Sequence, residues 1–280
     1  MRYFVLILIG IFQISLVNAQ PKEKASLITL DTAKILKNAE NYLIGNTQKP
    51  RPDSAVVLLT PLTKAGNAEA LFLMGNLLLR GSKPHVSKNI PLAIKYLEQS
   101  AKSGNIQAIQ VLITLYSGME GNAMFSDPEI KAKKNNTHLF TITQLGASLN
   151  DPMSACWLAI CFMDGKGTIP KVLEAKRYLQ FSAEHNFPLA QVLIGDGYYF
   201  GKNGIHKHLD SAVYWYHKLH YNPKASLQEQ GLGLEGKLWC ENVFTLLWNN
   251  TLKITFFWER FNYRLHVWEV KKEDRNPKRF

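Results

Sequence analysis

The sequence predicts an all-α fold, a solenoid of helix–turn–helix repeats. Three observations predict it. A helical stripe of apolar and small residues returns four times along the chain. Each copy has its own second amphipathic segment with a fixed frame. Those second segments close on Gly or Asn, residues that suit a left-handed helix cap.

The first helix is clearest from Ala190. Ile194, Gly195, Tyr198 and Gly201 follow at +4, +5, +8 and +11. Positions 0, +4, +8 and +11 share one helical face, as a helix burying one side requires. Gly195 inside a helix costs about 1 kcal/mol against alanine. Close approach of the partner helix backbone is the expected compensation. From Ala70 the frame gives Met74, Gly75, Leu78 and Gly81. From Ser154 it gives Leu158, Ala159, Phe162 and Gly165. From Ala108 it gives Leu112, Ile113 and Tyr116, with Met119 in place of the last glycine.

The second helices start from Ala55, Ala93, Ala175 and Ala212, with a degenerate copy from Leu139. Tyr96 and Leu97, or Trp215 and Tyr216, stand at +3 and +4. The closing residues are Gly66, Gly104, Asn150 and Asn186. With its loop GKNGIHKHLDSA, the 187–222 copy resembles the Sel1-like repeat, a relative of the tetratricopeptide repeat. The resemblance extends over about residues 32–223. It implies a right-handed α-solenoid and a non-catalytic scaffold or adaptor that binds another protein or peptide.

In chain order, residues 1–19 read MRYFVLILIGIFQISLVNA. A basic residue, an apolar core and a small-residue end mark a secretory signal peptide cut before Gln20. The apolar run is short of the ~20 residues of a spanning helix, and no other candidate span follows. The expected location is therefore periplasmic or secreted. Residues 20–31 read as a flexible N-terminus. Residues 32–66 read as a diverged first repeat, its helix running to about Leu43 and its loop over 46–54. Repeats follow at 67–104, 151–186 and 187–222. Between them, 105–150 is a degenerate repeat whose insert, GMEGNAMFSDPEIKAKKNNTH, is expected to bulge. Residues 223–280 hold a partial repeat and an aromatic, basic tail. A β-hairpin around Asn249-Asn250 and capping helices both fit that tail.

Candidate chemistry is sparse. GxSxG, SxxK, HExxH and phosphate-loop patterns are absent, so no catalytic residue is assigned and no cofactor is implied. The formal charge of +11 suits an anionic surface or an acidic partner. No basic-aromatic nucleic-acid motif accompanies it. The three cysteines read as small core residues, and Cys156 and Cys161 point in different directions on one helix. His206, His208, His217 and His220 form a weak metal alternative. A secreted enzyme or small-ligand binder acting on a cell-wall compound, such as a β-lactam, is the other alternative. Positions +2, +6 and +9 of the first helices point away from their partner helices. They either line a groove or pack between repeats. The best contact candidates among the outward positions are Phe72, Asn76, Thr114, Ile160, Asp196 and Tyr199.

Overall fold

The computed structural model describes residues 31–45, 49–118 and 127–240. These residues form twelve helices and no strand, apart from an isolated bridge between Ser82 and Val86. The expectations for the leader at 1–19, and for a hairpin or further helices beyond residue 240, lie outside the described residues. Helix α1 spans 31–44. It is followed by α2 (Pro52–Lys64), α3 (Ala68–Arg80), α4 (Ile90–Lys102), α5 (Ile106–Ser117) and the short α6 (Pro128–Lys131). Then come α7 (Asn136–Ser148), α8 (Pro152–Asp164), α9 (Val172–Glu184), α10 (Pro188–Phe200), α11 (Leu209–His220) and α12 (Leu227–Cys240). The chain divides into two units between Ala190 and Gln191, inside α10.

Short polar residues start these helices by accepting orphan backbone N–H groups. Asn67, Asn105 and Asp151 accept from the N–H of Ala70, Ala108 and Ser154 at 2.9, 2.9 and 2.8 Å. Asn89, Asn135 and His208 do the same for second helices. The left-handed closures are in place: φ is 76° at Gly66, 86° at Gly104, 59° at Asn150 and 62° at Asn186.

One backbone bond recurs in every helix pair. The residue before the second helix donates its N–H to the carbonyl of the first helix's +8 residue. The pairs are Asn89 to Leu78 at 2.9 Å, Asn135 to Tyr116 at 3.0 Å, Lys171 to Phe162 at 2.9 Å and His208 to Tyr198 at 2.8 Å. Arg51 makes the same bond to Tyr42 at 2.8 Å. The first pair therefore follows the frame although its sequence has diverged. Its loop is shorter than expected, because α2 already begins at Pro52.

In the first unit, Ala55, Leu59, Ala70, Leu73 and Met74 form one core cluster with Ala39. Leu158, Phe162 and Ala175 form another, with Phe140 and Tyr178 against the Phe162 ring. Ser100 in α4 and Ser182 in α9 donate to the carbonyls of Ala68 and Pro152, each at 2.6 Å. These bonds tie each second helix to the start of its first helix and satisfy a carbonyl and a buried hydroxyl together.

Two expectations need correction. The glycine thought lost at Met119 is present one residue earlier: α5 ends a residue sooner, and Gly118 caps it at φ 68°. The expected bulge of the insert falls largely on 119–126, outside the described residues. Lys88 holds Asp127 in an ion pair, and Ile130 is buried. The helical glycines are matched mainly by side chains of the partner helix. A Cβ at Gly75 would sit 2.8 Å from Leu97 Cγ and 3.2 Å from the Ala93 carbonyl; one at Gly195 would sit 2.9 Å from the Tyr216 ring.

In the second unit, Val192, Leu219 and Ala225 form one small core, with Leu232 against it. Ala212, Tyr216 and Cys240 form another, with Tyr198, Tyr199 and Val213. A capping box starts α12: Glu229 accepts from the Ser226 N–H at 2.8 Å, and Ser226 Oγ accepts from the Glu229 N–H at 3.3 Å. Helix α12 packs closely on α11. A Cβ at Gly233 would lie 2.6 Å from the Tyr216 carbonyl oxygen.

Candidate functional site

The outward positions of the first helices do not share one environment. In the first unit, Phe72 is partly exposed and packs on the core of α2 and α3. Asn76 is partly exposed, yet its Oδ1 is buried without a hydrogen-bond partner. Thr114 is partly exposed and donates to the Gln110 carbonyl at 2.9 Å. Ile160 is 0% exposed. Helix α8 is buried continuously from Ser154 to Phe162, so Cys156 and Ile160 on its supposed outer face are core residues. Its apolar run, ACWLAICF, is the signal: a helix apolar on all sides packs on all sides.

In the second unit, Asp196 and Tyr199 are partly exposed. Tyr216 donates from Oη to Asp196 Oδ1 at 2.5 Å. Loss of hydration pushes the Asp196 carboxyl up to about 7, against the opposing pull of the Tyr216 hydrogen bond and the Lys202 charge. Tyr216 is itself raised, first by burial and then by Asp196. The Tyr199 ring meets Phe200 edge-on and carries Lys207 Nζ at 5.8 Å from its centroid.

The four histidines do not gather. His206 is exposed, and His208 caps α11 through Nδ1. His217 lies against Tyr221, and His220 Nδ1 is 2.9 Å from the Gln230 carbonyl. Among the described residues no group of three or more His, Cys, Asp or Glu could hold a metal ion. Cys156 and Cys161 are poor nucleophiles: burial raises the first well above the ordinary range and the second to about 11.

Sequence reasoning passed over a second feature, because it read the loops for glycine and apolar spacing alone. The loops after α3, α5 and α8 lie along one edge of the first unit. Lys88 and Asp127 tie the first to the second. Gly167 of the third lies so close to the start of α7 that a Cβ there would be 2.3 Å from the Asn136 carbonyl oxygen. Segments 81–89, 127–135 and 164–171 hold seven lysines and three carboxylates. Two of those carboxylates, Asp127 and Asp164, are already paired with Lys88 and Lys166. Lysine recurrence in corresponding loops was the available signal.

The Sel1 repeat family model matches residues 68–105, 152–187 and 188–219. It leaves out 106–151, where the insert interrupts the frame. No curated protein matches the chain. Among solved structures, a Sel1 repeat protein from Oxalobacter formigenes aligns with a TM-score of 0.60 and 21% identity, over 76% of this chain and 84% of that one. A protective antigen of uropathogenic Escherichia coli with an SLR fold aligns with a TM-score of 0.59 and 18% identity. That alignment covers 75% of this chain but spans only 41% of the antigen's length. At these identities the likeness concerns the fold. Sel1 repeats generally mediate protein–protein interaction, and the fold is typically a non-catalytic scaffold. The chain thus carries three Sel1 repeats inside an all-α repeat fold.

Proposed function

We propose that the protein is an exported, non-catalytic scaffold that holds another protein or peptide on its helical repeats. One observation carries this reading. The recurring residues are consumed in building helix pairs, through the five repeated backbone bonds and the packing behind them. Among the outward residues of α3 and α5, Phe72, Asn76 and Thr114 remain partly exposed, while Leu79 is buried. A surface whose scaffold repeats while its outward residues vary suits recognition of an extended or helical peptide. Asp196 titrates in a range useful to acid–base chemistry. Its contact with Tyr216, however, supports a structural role: the tyrosine joins α11 to α10 through it. Nucleic acid is not the expected partner, and no described helix is long and apolar enough to cross a membrane.

The test is crosslinked capture with the full chain as bait in envelope and culture extracts. The comparison is a Phe72→Ala/Asn76→Lys/Thr114→Lys variant checked for native helix content. A protein captured by the wild type and lost by the variant is the expected result. A well-folded bait that captures nothing sinks the scaffold reading. Export is tested separately by sequencing the N-terminus of the native protein. A start at Gln20 is expected, and a chain retaining Arg2 rejects it.

A further inference from the structure

The basic loop edge of the first unit has a large excess of lysines over carboxylates. Its opposite edge provides the contrast. There the turns 64–69, 102–107, 148–153 and 184–189 hold two lysines and three carboxylates. Two of those carboxylates are spent inside the fold: Glu69 accepts from Asn105, and Asp151 accepts from Ser154 and Gln110. On the basic edge Lys83, Lys134 and Lys171 are exposed, and no carboxylate among the described residues forms an ion pair with any of them. They come from three different loops, and the contacts of Lys88 with Asp127 and of Gly167 with α7 hold those loops together.

The same edge exposes large aliphatic side chains. Ile169 is 71% and Leu173 82% exposed, with Val172 beside them at 46%. These flank Lys171, whose Nζ lies over the Phe162 ring at 5.9 Å from its centroid. Unpaired lysines beside exposed aliphatics match a ligand carrying both negative charge and apolar side chains.

We propose that this edge docks an acidic segment of a partner protein, with Lys83, Lys134 and Lys171 meeting its carboxylates and Ile169 and Leu173 meeting its aliphatic side chains. The proposal deepens the scaffold reading and rests on it. A protein segment is favoured over an anionic lipid surface for two reasons. The lysines sit on loops fixed to one another, rather than along one amphipathic helix. The three loops also contain no Tyr or Trp, the residues that mark a membrane-interface belt.

The test uses the full chain and a labelled synthetic peptide of Glu, Asp and Leu, followed by fluorescence anisotropy. Wild type is expected to bind it, with affinity falling severalfold as salt rises from about 50 to about 200 mM. Lys83→Glu/Lys134→Glu/Lys171→Glu is expected to weaken binding about tenfold or more, since three attractions become repulsions. Lys64→Glu/Lys102→Glu, with the same kind of charge change on the other edge, is expected to change it less than about twofold. Leu173→Ser is expected to weaken it about threefold. Far-ultraviolet circular dichroism and melting temperature confirm that each variant is folded. Equal binding by wild type and the triple variant overturns the proposal. Binding to phosphatidylglycerol vesicles without binding to the peptide also overturns it, in favour of lipid. If crosslinked capture yields a partner that the triple variant holds equally well, the scaffold reading stands and the edge proposal falls. If neither peptide nor protein partner binds, both fall.

Discussion

The α3–α4 and α10–α11 pairs occupy the same frame and solve it with different chemistry. In each pair a glycine of the first helix faces the +4 residue of the second: Gly75 meets Leu97, and Gly195 meets Tyr216. The volume problem is the same. The polar problem is not, because Tyr216 brings a hydroxyl into a space that Leu97 fills with carbon. The next residue of the first helix decides the outcome. At +6 the α10 helix has Asp196, which accepts from Tyr216. At +6 the α3 helix has Asn76, whose Oδ1 is buried with no partner. The α8–α9 pair places Ile160 and Leu179 at those two positions, both fully buried and apolar. The repeat frame thus dictates size and approach. At these two positions polarity must be matched anew in each pair, and in α3–α4 it is left unmatched.

Removing the larger partner breaks the comparison hardest. Tyr216→Ala opens a cavity and leaves the desolvated Asp196 carboxyl without its donor. The expected loss is about 3–5 kcal/mol in denaturant unfolding of the full chain. Leu97→Ala removes packing alone and should cost less, about 2–4 kcal/mol. A Tyr216 loss no larger than the Leu97 loss would show that the polar pair adds nothing to the fold.

Tyr216→Phe isolates the hydrogen bond and should cost about 1–3 kcal/mol. Its pH dependence carries the sharper content. The Asp196 carboxyl is raised from 3.8 to about 7 in the fold, so between those values the native state binds more protons than the unfolded chain. Stability must then fall as pH rises from about 4 through 7, and level off above. Asp196→Asn should remove that fall. Tyr216→Phe should extend it to higher pH, because the hydroxyl favours the charged carboxylate. An unchanged pH profile in Asp196→Asn would refute the assignment. The α3–α4 pair, with Asn76 and Leu97 at the same positions, contributes no such titration.

Next in size are the glycines. Alanine at Gly75 or Gly195 gains about 1 kcal/mol of helix propensity. Against it stands a Cβ only 2.8 Å from Leu97 Cγ or 2.9 Å from the Tyr216 ring. Overpacking of that kind costs about 1–3 kcal/mol, so both substitutions should destabilise by about 1 kcal/mol net. A stabilised Gly195→Ala protein would mean that the Tyr216 ring moves aside freely, contrary to its tie to Asp196.

The fold was legible because its signals are local and repeated. Gly66, Gly104, Asn150 and Asn186 announced left-handed closures, and all four adopt positive φ. The +8 residues were read only as part of the buried stripe, and the structure adds that their carbonyls receive the bond that ties down each second helix. What escaped was set by tertiary context. The frame counts positions and cannot see that α5 stops one residue early, which moved the closing glycine from 119 to 118. It assigns Ile160 to an outer face, yet α8 has neighbours on that side as well, through α5 and α7. It also treats loops as punctuation, so the shared edge of Lys83, Lys134 and Lys171 emerges only when three distant segments are brought together. The pairing of Tyr216 with Asp196 needed the helices in register. Both residues were visible, but only Asp196 was singled out, and for contact with a partner rather than with its own fold.

The smallest expected effect tests the mismatch in α3–α4 directly. Asn76 Oδ1 has lost its hydration and gained no donor, which penalises the folded state by about 1–3 kcal/mol. Leucine shares the branched outline of asparagine in a bulkier form, and the α8–α9 pair carries isoleucine at the same position. Asn76→Leu should therefore raise stability by about 1 kcal/mol, read as a higher denaturation midpoint with an unchanged slope. The corresponding change in α10, Asp196→Leu, should do the opposite, because it strands the Tyr216 hydroxyl. If Asn76→Leu instead destabilises the chain, the orphaned amide is making a contribution that packing alone does not explain. A simultaneous loss of partner capture would then assign the cost of that buried amide to binding rather than to folding.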